Sequence, residues 1–142
     1  MRIRKYQEKD KKQVRELIES ILREIFKKKP KNLEDLDNIK VNYNLFLVAE
    51  DKGKSTGTIG LIKKANLGVL RRFFVKKEFR ERGIGKKLYD TLENFAKKTK
   101  IEKLILSTSP QMKEAIRFYQ KNNFLITKIT KNKIYMEKKW QK

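Results

Sequence analysis

Phe79-Arg80-Glu81-Arg82-Gly83-Ile84-Gly85-Lys86-Lys87 stands between an extended apolar run and a helical one, and its reading decides the fold. Two glycines two apart, among basic residues, suit a turn that wraps an anion. Gly83 and Gly85 let the backbone approach a ligand with no Cβ in the way. A helix that starts here leaves its first amides without partners inside the helix. Those N–H groups lie at the positive end of the helix dipole and form a ready phosphate site. A charged surface turn has the same local chemistry, so the neighbouring segments have to decide.

Upstream of the turn, residues 67–75 read Leu-Gly-Val-Leu-Arg-Arg-Phe-Phe-Val, an extended run. Downstream, Ile84, Leu88, Leu92, Phe95 and Ala96 keep helical spacing to about Thr99. Leu104, Ile105 and Leu106 then read as a strand apolar on both faces, as a central strand is. Ser109 and Pro110 read as an N-cap and first helical residue. Met112, Ala115, Ile116 and Tyr119 continue along one helical face as far as Asn122-Asn123, where Asn can take the left-handed position usual for Gly. Residues 124–130 and 134–140 close the chain as two strands around Lys131-Asn132-Lys133.

Toward the N-terminus, residues 2–6 make a short strand with Ile3 inward. Asp10 followed by Gln13 resembles a capping box. Val14, Leu17, Ile18, Ile21, Leu22, Ile25 and Phe26 fall at helical spacing, and Lys27, Lys28, Lys29 and Pro30 end that helix. Residues 32–38 are the one place where acid outweighs base. Glu34, Asp35 and Asp37 there read either as acids complementing a short helix's dipole or as a mouth for a cationic amine. Residues 45–49 and 56–62 flank Asp51-Lys52-Gly53-Lys54, a hairpin signal. The expected order is β, α, α, β, β, β, α, β, α, β, β. That is an α/β (α+β) chain with a mixed sheet covered by helices, in one domain over residues 1–142.

The 142 residues include no cysteine and no histidine, which excludes disulfides, Cys/His zinc sites, thiol nucleophiles and imidazole bases. No metal site is expected. No apolar run approaches the length of a membrane span, and a soluble cytoplasmic protein is the expectation. The formal charge of +21 makes nucleic acid an obvious candidate partner. Yet the cations are spread along the whole chain, and lysine far outnumbers arginine, whereas base-edge recognition favours Arg. A solvated charged surface is the preferred reading.

A strand, an Arg-x-x-Gly-x-Gly turn, a helix, a strand, and a helix bearing Ala-Ile-x-Phe-Tyr together resemble the GNAT superfamily of N-acetyltransferases. Phe73-Phe74-Val75 followed by Phe79 to Leu88 is similar to that family's acetyl-coenzyme A motif. Ala115-Ile116-Arg117-Phe118-Tyr119-Gln120-Lys121-Asn122-Asn123-Phe124 resembles its second signature, which usually ends in Gly-Phe. The resemblance implies a mostly antiparallel central sheet flanked by helices, with acetyl-CoA as donor and an amine as acceptor. It implies that the turn formed by Arg80, Glu81, Arg82, Gly83, Ile84 and Gly85, with Lys86 after it, meets the pyrophosphate. Backbone groups near Phe73, Phe74 and Val75 would bond the pantetheine arm where two parallel strands part. The amine would then attack the thioester directly, with no covalent enzyme intermediate.

Tyr119 matches the family tyrosine that donates a proton, or at least a hydrogen bond, to the departing thiolate. From its spacing alone it would be a core aromatic. Many relatives carry a glutamate on the strand before the turn, but residues 67–75 contain no acid. Water held by backbone carbonyls, Glu50, Glu34 and Asp35 remain open as routes for the acceptor's proton. The acceptor itself, a small-molecule amine or a protein amino group, is open too, and relatives of this kind are often homodimers. Two other functions fit the residues: a basic nucleic-acid-binding module, and a coenzyme A binder without catalysis.

Overall fold

The computed structural model describes residues 1–140. Its strands are β1 (Arg2–Lys5), β2 (Leu45–Asp51), β3 (Lys54–Lys64), β4 (Leu67–Val75), β5 (Lys103–Thr108), β6 (Leu125–Ile129) and β7 (Ile134–Lys139). Its helices are α1 (Lys11–Phe26), α2 (Ile39–Asn42), α3 (Ile84–Lys98) and α4 (Lys113–Lys121). The order of elements is the expected one, with a 3-10 turn at Glu34–Asn38 leading into α2. All seven strands join one sheet in the order β1-β2-β3-β4-β5-β7-β6. Every neighbouring pair is antiparallel except β4 with β5. Parallel neighbours need a long crossover, and α3 supplies it.

Side chains alternate across a strand, so each strand can feed two cores. On β2, Leu45, Leu47 and Ala49 join the cluster under α3, with Leu88, Tyr89, Leu92 and Ala96 of that helix. Phe46 and Val48 point the other way, into a second cluster with Val14, Leu17, Ile18 and Ile21 of α1. Both helices are amphipathic at the spacing the sequence shows, and each buries its apolar stripe on one face of the sheet. Among the described residues, no helix is long and apolar enough to cross a membrane.

Three local expectations are corrected. Asp10 and Gln13 do not form a capping box: Asp10 accepts the Gln7 amide and two bonds from Arg4, and Gln13 Oε1 accepts the Ser55 amide at 2.8 Å. Ser109 and Pro110 do not start α4, which begins at Lys113; the Ser109 hydroxyl accepts the Gln111 amide in a turn of its own. The first hairpin is tighter and its strands longer than expected, because Asp51 pairs directly with Lys54. At the other end of α4, Asn123 takes the left-handed conformation, φ 73°, as the sequence suggested.

β4 is not a straight strand. Its pairing with β3 shifts register between Thr58 and Gly60, and Arg72 has φ 55° inside the strand. Such a bulge bends a strand and increases its twist. A positive φ at a non-glycine residue costs about 1–3 kcal/mol and persists only where its surroundings hold it. Here the buried Thr58 hydroxyl donates to the Arg72 carbonyl at 2.8 Å. The Arg72 guanidinium donates to both oxygens of Asp35, at 2.7 and 3.0 Å, and to the Asn32 carbonyl. Tyr43 completes the clamp by donating its hydroxyl to Asp35.

Gly60 leaves room for that Tyr43 ring. A Cβ at Gly60 would stand 2.7 Å from Tyr43 Cε1 and 2.9 Å from its Cδ1. Gly60→Ala is therefore expected to lower stability by about 1–3 kcal/mol, the usual range for overpacking. Urea unfolding measures it, and an unchanged midpoint would mean that Tyr43 is free to move aside.

Candidate active site

Beyond the bulge, β4 and β5 part. They pair only from Leu67 to Val69 against Lys103 to Ile105, while β4 runs on to Val75 and β5 to Thr108. The facing edges from there on have no ladder. Backbone donors and acceptors that lack a partner inside the chain are available to a ligand. Lys76 donates its amide to Thr56 on β3, so by strand alternation the Val75 backbone faces the open side. The Val75 carbonyl there accepts a bond from Arg80 Nε at 2.9 Å, which fastens the turn to the end of β4.

A cleft of about 630 Å³ starts at this opening. Phe73, Phe74 and Val75 form one wall, with Ile21 and Ile25 of α1 at one end. At the other end are Arg80, Glu81, Gly83, Ile84, Gly85 and Lys86, faced by Met112, Lys113 and Arg117 from the start of α4. Gly83 is the N-cap of α3, at φ 79°, and no side chain caps that helix. Among the described residues, the amides of Glu81, Arg82, Gly83, Ile84, Gly85 and Lys86 donate to no backbone carbonyl. The Arg80 amide is not part of this free row, since it donates to the Lys77 carbonyl at 3.2 Å. A Cβ built on Gly83 would meet nothing within 4 Å, so the space in front of the turn is open. A row of free amides at a helix N-terminus, beside cations, has the geometry to hold an anion.

The family model for the acetyltransferase (GNAT) family matches residues 11–124. The chain belongs to the GNAT acetyltransferase family. Several solved acetyltransferase structures agree with this chain over nearly its whole length. The acetyltransferase of the GNAT family from Staphylococcus aureus Mu50 is 29% identical, with a TM-score of 0.90 over 97% of this chain and 98% of that one. PaiA N-acetyltransferase from Thermoplasma acidophilum, solved in complex with coenzyme A, is 25% identical, with a TM-score of 0.85 over 98% of each chain. Ribosomal-protein-alanine N-acetyltransferase from Brucella melitensis has a TM-score of 0.79 over 99% of this chain and 100% of that one. At 18% identity that last likeness shows the fold alone. No curated protein matches the sequence significantly.

Within this GNAT chain two of the residues singled out from sequence stand apart from the cleft wall. Arg82 turns its guanidinium over the Phe79 ring, 5.1 Å from the centroid. Tyr119 lies behind Phe73 and Phe118, with ring centroids 6.0 and 6.1 Å away, and is 5% exposed. Burial pushes its hydroxyl pKa up, so it stays protonated across the neutral range. Among the described residues that hydroxyl has no hydrogen-bond partner, and it is not among the fully sealed polar atoms.

Of the acids weighed as bases, Glu50 and Asp35 are engaged elsewhere, and Glu34 is exposed and outside the cleft lining. Glu50 accepts Arg4 and Arg2 at 3.0 and 3.1 Å, and the Arg4 hydrogen bond is the largest cause holding its carboxyl below the usual range. Asp37 pairs with Arg15 at 3.2 Å. The 32–38 segment is thus neither a plain dipole complement nor an open mouth, since Asp35 anchors it to β4. Ile21 and Ile25 lay within the helical apolar stripe and gave no separate sign of lining a cleft. The Arg71-Arg72 pair in an apolar strand was the one available hint of the clamp, because a buried cation needs an acid and the chain has one acidic cluster.

Burial alone would raise the Asp35 carboxyl, but the hydrogen bonds from Arg72 and Tyr43 and the Arg72 charge outweigh it and hold the pKa below the usual value. A carboxylate depressed in this way contributes stability that is complete above its unfolded pKa of about 3.9 and is lost as the pH falls through the lower folded value. Asp35→Asn should therefore cost stability at neutral pH and flatten the loss below about pH 4. Chemical denaturation across pH measures both, and parallel curves for the two proteins would remove Asp35 from the acid response.

Proposed function

We propose that this chain is an acetyl-coenzyme A dependent N-acetyltransferase, a single domain over residues 1–142, acting on a primary amine of a small molecule or a protein. The observation that carries the reading is the row of free amides from Glu81 to Lys86 at the mouth of a cleft walled by the unpaired edge of β4. Acetyl-CoA supplies an acetyl group already activated as a thioester.

The chain's own residues have four tasks. The amides of Glu81, Arg82, Gly83, Ile84, Gly85 and Lys86 hold the pyrophosphate, with the α3 dipole behind them. The Arg80 side chain braces the turn against Val75 and leaves the backbone to do the binding. Phe73, Phe74 and Val75 line the pantetheine arm, and the open Val75 N–H donates to one of its carbonyls. The amine nitrogen then bonds the acetyl carbon, the C–S bond breaks, and sulfur leaves with the bonding pair and takes up the proton that nitrogen loses.

Tyr119 is the side chain assigned to the departing sulfur. An ordinary thiol has a pKa of about 8.5 and an ordinary tyrosine about 10. With the Tyr119 hydroxyl raised further, a full proton transfer runs uphill, and its contribution is a hydrogen bond to the thiolate. With Glu50 and Asp35 held in ion pairs, the amine's proton leaves through water.

A hydrogen bond to a charged group contributes about 1.5–3 kcal/mol, so Tyr119→Phe is expected to lower kcat roughly 10- to 100-fold. Coenzyme A affinity should stay nearly unchanged, because the ring still fills its place beside Phe73. Steady-state kinetics with an amine panel, together with coenzyme A titration, gives both numbers. Unchanged turnover would leave Tyr119 as a core residue. Coenzyme A binding without transfer to any amine would favour a binder that lacks catalysis.

A further inference from the structure

The two ends of the cleft differ in chemistry. The inference drawn from this rests on acetyl transfer as proposed above. With the pyrophosphate at the α3 end, the arm runs along β4 from Val75 toward Phe73, and the amine meets the thioester at the α1 end. Ile21 and Ile25 stand there, one helical turn apart, and Phe74 packs into the same core cluster. Among the described residues, the acids that line the cleft are Glu81 and Glu114, both exposed and both at the α3 and α4 end. In the 32–38 segment Asp35 and Asp37 are held by Arg72 and Arg15, and the exposed Glu34 lies outside the cleft lining.

The charge outside the α1 end is positive. Lys27, Lys28 and Lys29 are exposed just beyond the helix end, at most about 14 Å of chain from Ile25, and outnumber the one exposed acid beside it, Glu24. Arg71 is also exposed, and it is close enough to Asp35 to help lower its carboxyl. Fields from such groups reach about 10 Å at 0.1 M salt and farther below it. A polycation approaching this end is repelled and finds no free carboxylate inside. A molecule with an apolar group beside its amine and negative charge beyond is drawn in and desolvated against Ile21, Ile25 and Phe74.

We propose that the acceptor is an amine borne on an apolar body that carries negative charge beyond it, and that polycationic amines are turned away. Matched probes test this: phenylalanyl-glutamate, phenylalanyl-glutamine and phenylalanyl-arginine each carry one acceptor amine and differ in charge. Glycyl-glutamate removes the apolar group, and spermidine is the polycation. Each is assayed with acetyl-CoA at about 0.05 and 0.5 M salt, and thermal stabilisation by coenzyme A is measured on the same protein.

At low salt kcat/KM should fall in the order glutamate, glutamine, arginine, by about 10-fold or more between the ends. The spread should narrow at high salt, and glycyl-glutamate should react more slowly than phenylalanyl-glutamate. The double variant Lys28→Glu, Lys29→Glu changes only exposed positions and should shrink or reverse the order. Equal rates for phenylalanyl-glutamate and phenylalanyl-arginine, or a higher rate for spermidine, would overturn the acceptor class and leave acetyl transfer standing. No reaction of any dipeptide while coenzyme A still stabilises the chain would also overturn the class. Absence of that stabilisation would overturn the donor reading, and this inference with it.

Discussion

The bend of β4 at Arg72 is the constraint on which the rest of the site depends. A sheet left to itself pairs every neighbouring strand along its length, because unpaired backbone groups are costly inside a protein. Here β4 and β5 pair over Leu67 to Val69 and then part. The bend requires Arg72 to sit at positive φ, and that conformation is held from two sides. Thr58 binds the Arg72 carbonyl, and Asp35, itself bound by Tyr43, takes the guanidinium. The clamp ties the 32–38 segment to the sheet just beyond the point where the sheet opens.

The opening gives the chain a site made largely of backbone. Free amides at the start of α3 present fixed partial charge, and the exposed edge of β4 presents directional hydrogen bonds. Neither has to reorganise when a ligand arrives. The side chains divide by position: the cations of the lining, Arg80, Lys86, Lys113 and Arg117, all come from the α3 and α4 side, whereas α1 contributes only Ile21 and Ile25. Such a gradient along one cleft suits a donor that is charged at one end and apolar at the other. This arrangement requires no histidine or cysteine, and the sequence has neither.

The order of elements and the glycine turn at the start of α3 were legible because each rests on a local signal: a period of 3.6 residues for α1 and α3, of two for the strands, and glycine where a helix begins. The Asp35–Arg72 clamp was not, because its partners lie far apart in sequence and periodicity carries no long-range pairing. The misplaced start of α4 has a local cause: Ser109 spends its hydroxyl on Gln111 within a turn. The Asp10–Gln13 capping box failed for the opposite reason, since both side chains are claimed by distant partners, Arg4 and Ser55. Tyr119 stands between these cases. Its sequence neighbours mark it, but only the packing reveals that it lies behind Phe73 rather than on the cleft wall.

The central claim is that coenzyme A binds through backbone amides at the start of α3 and the open edge of β4. Amide chemical shifts of the isotope-labelled protein, followed through a coenzyme A titration, test it most directly. The largest changes are expected at Gly83, Ile84, Gly85, Lys86 and Val75, with the Arg80 amide, already bonded to Lys77, responding less. Saturable changes confined to other surfaces, with those five amides unmoved, would contradict it.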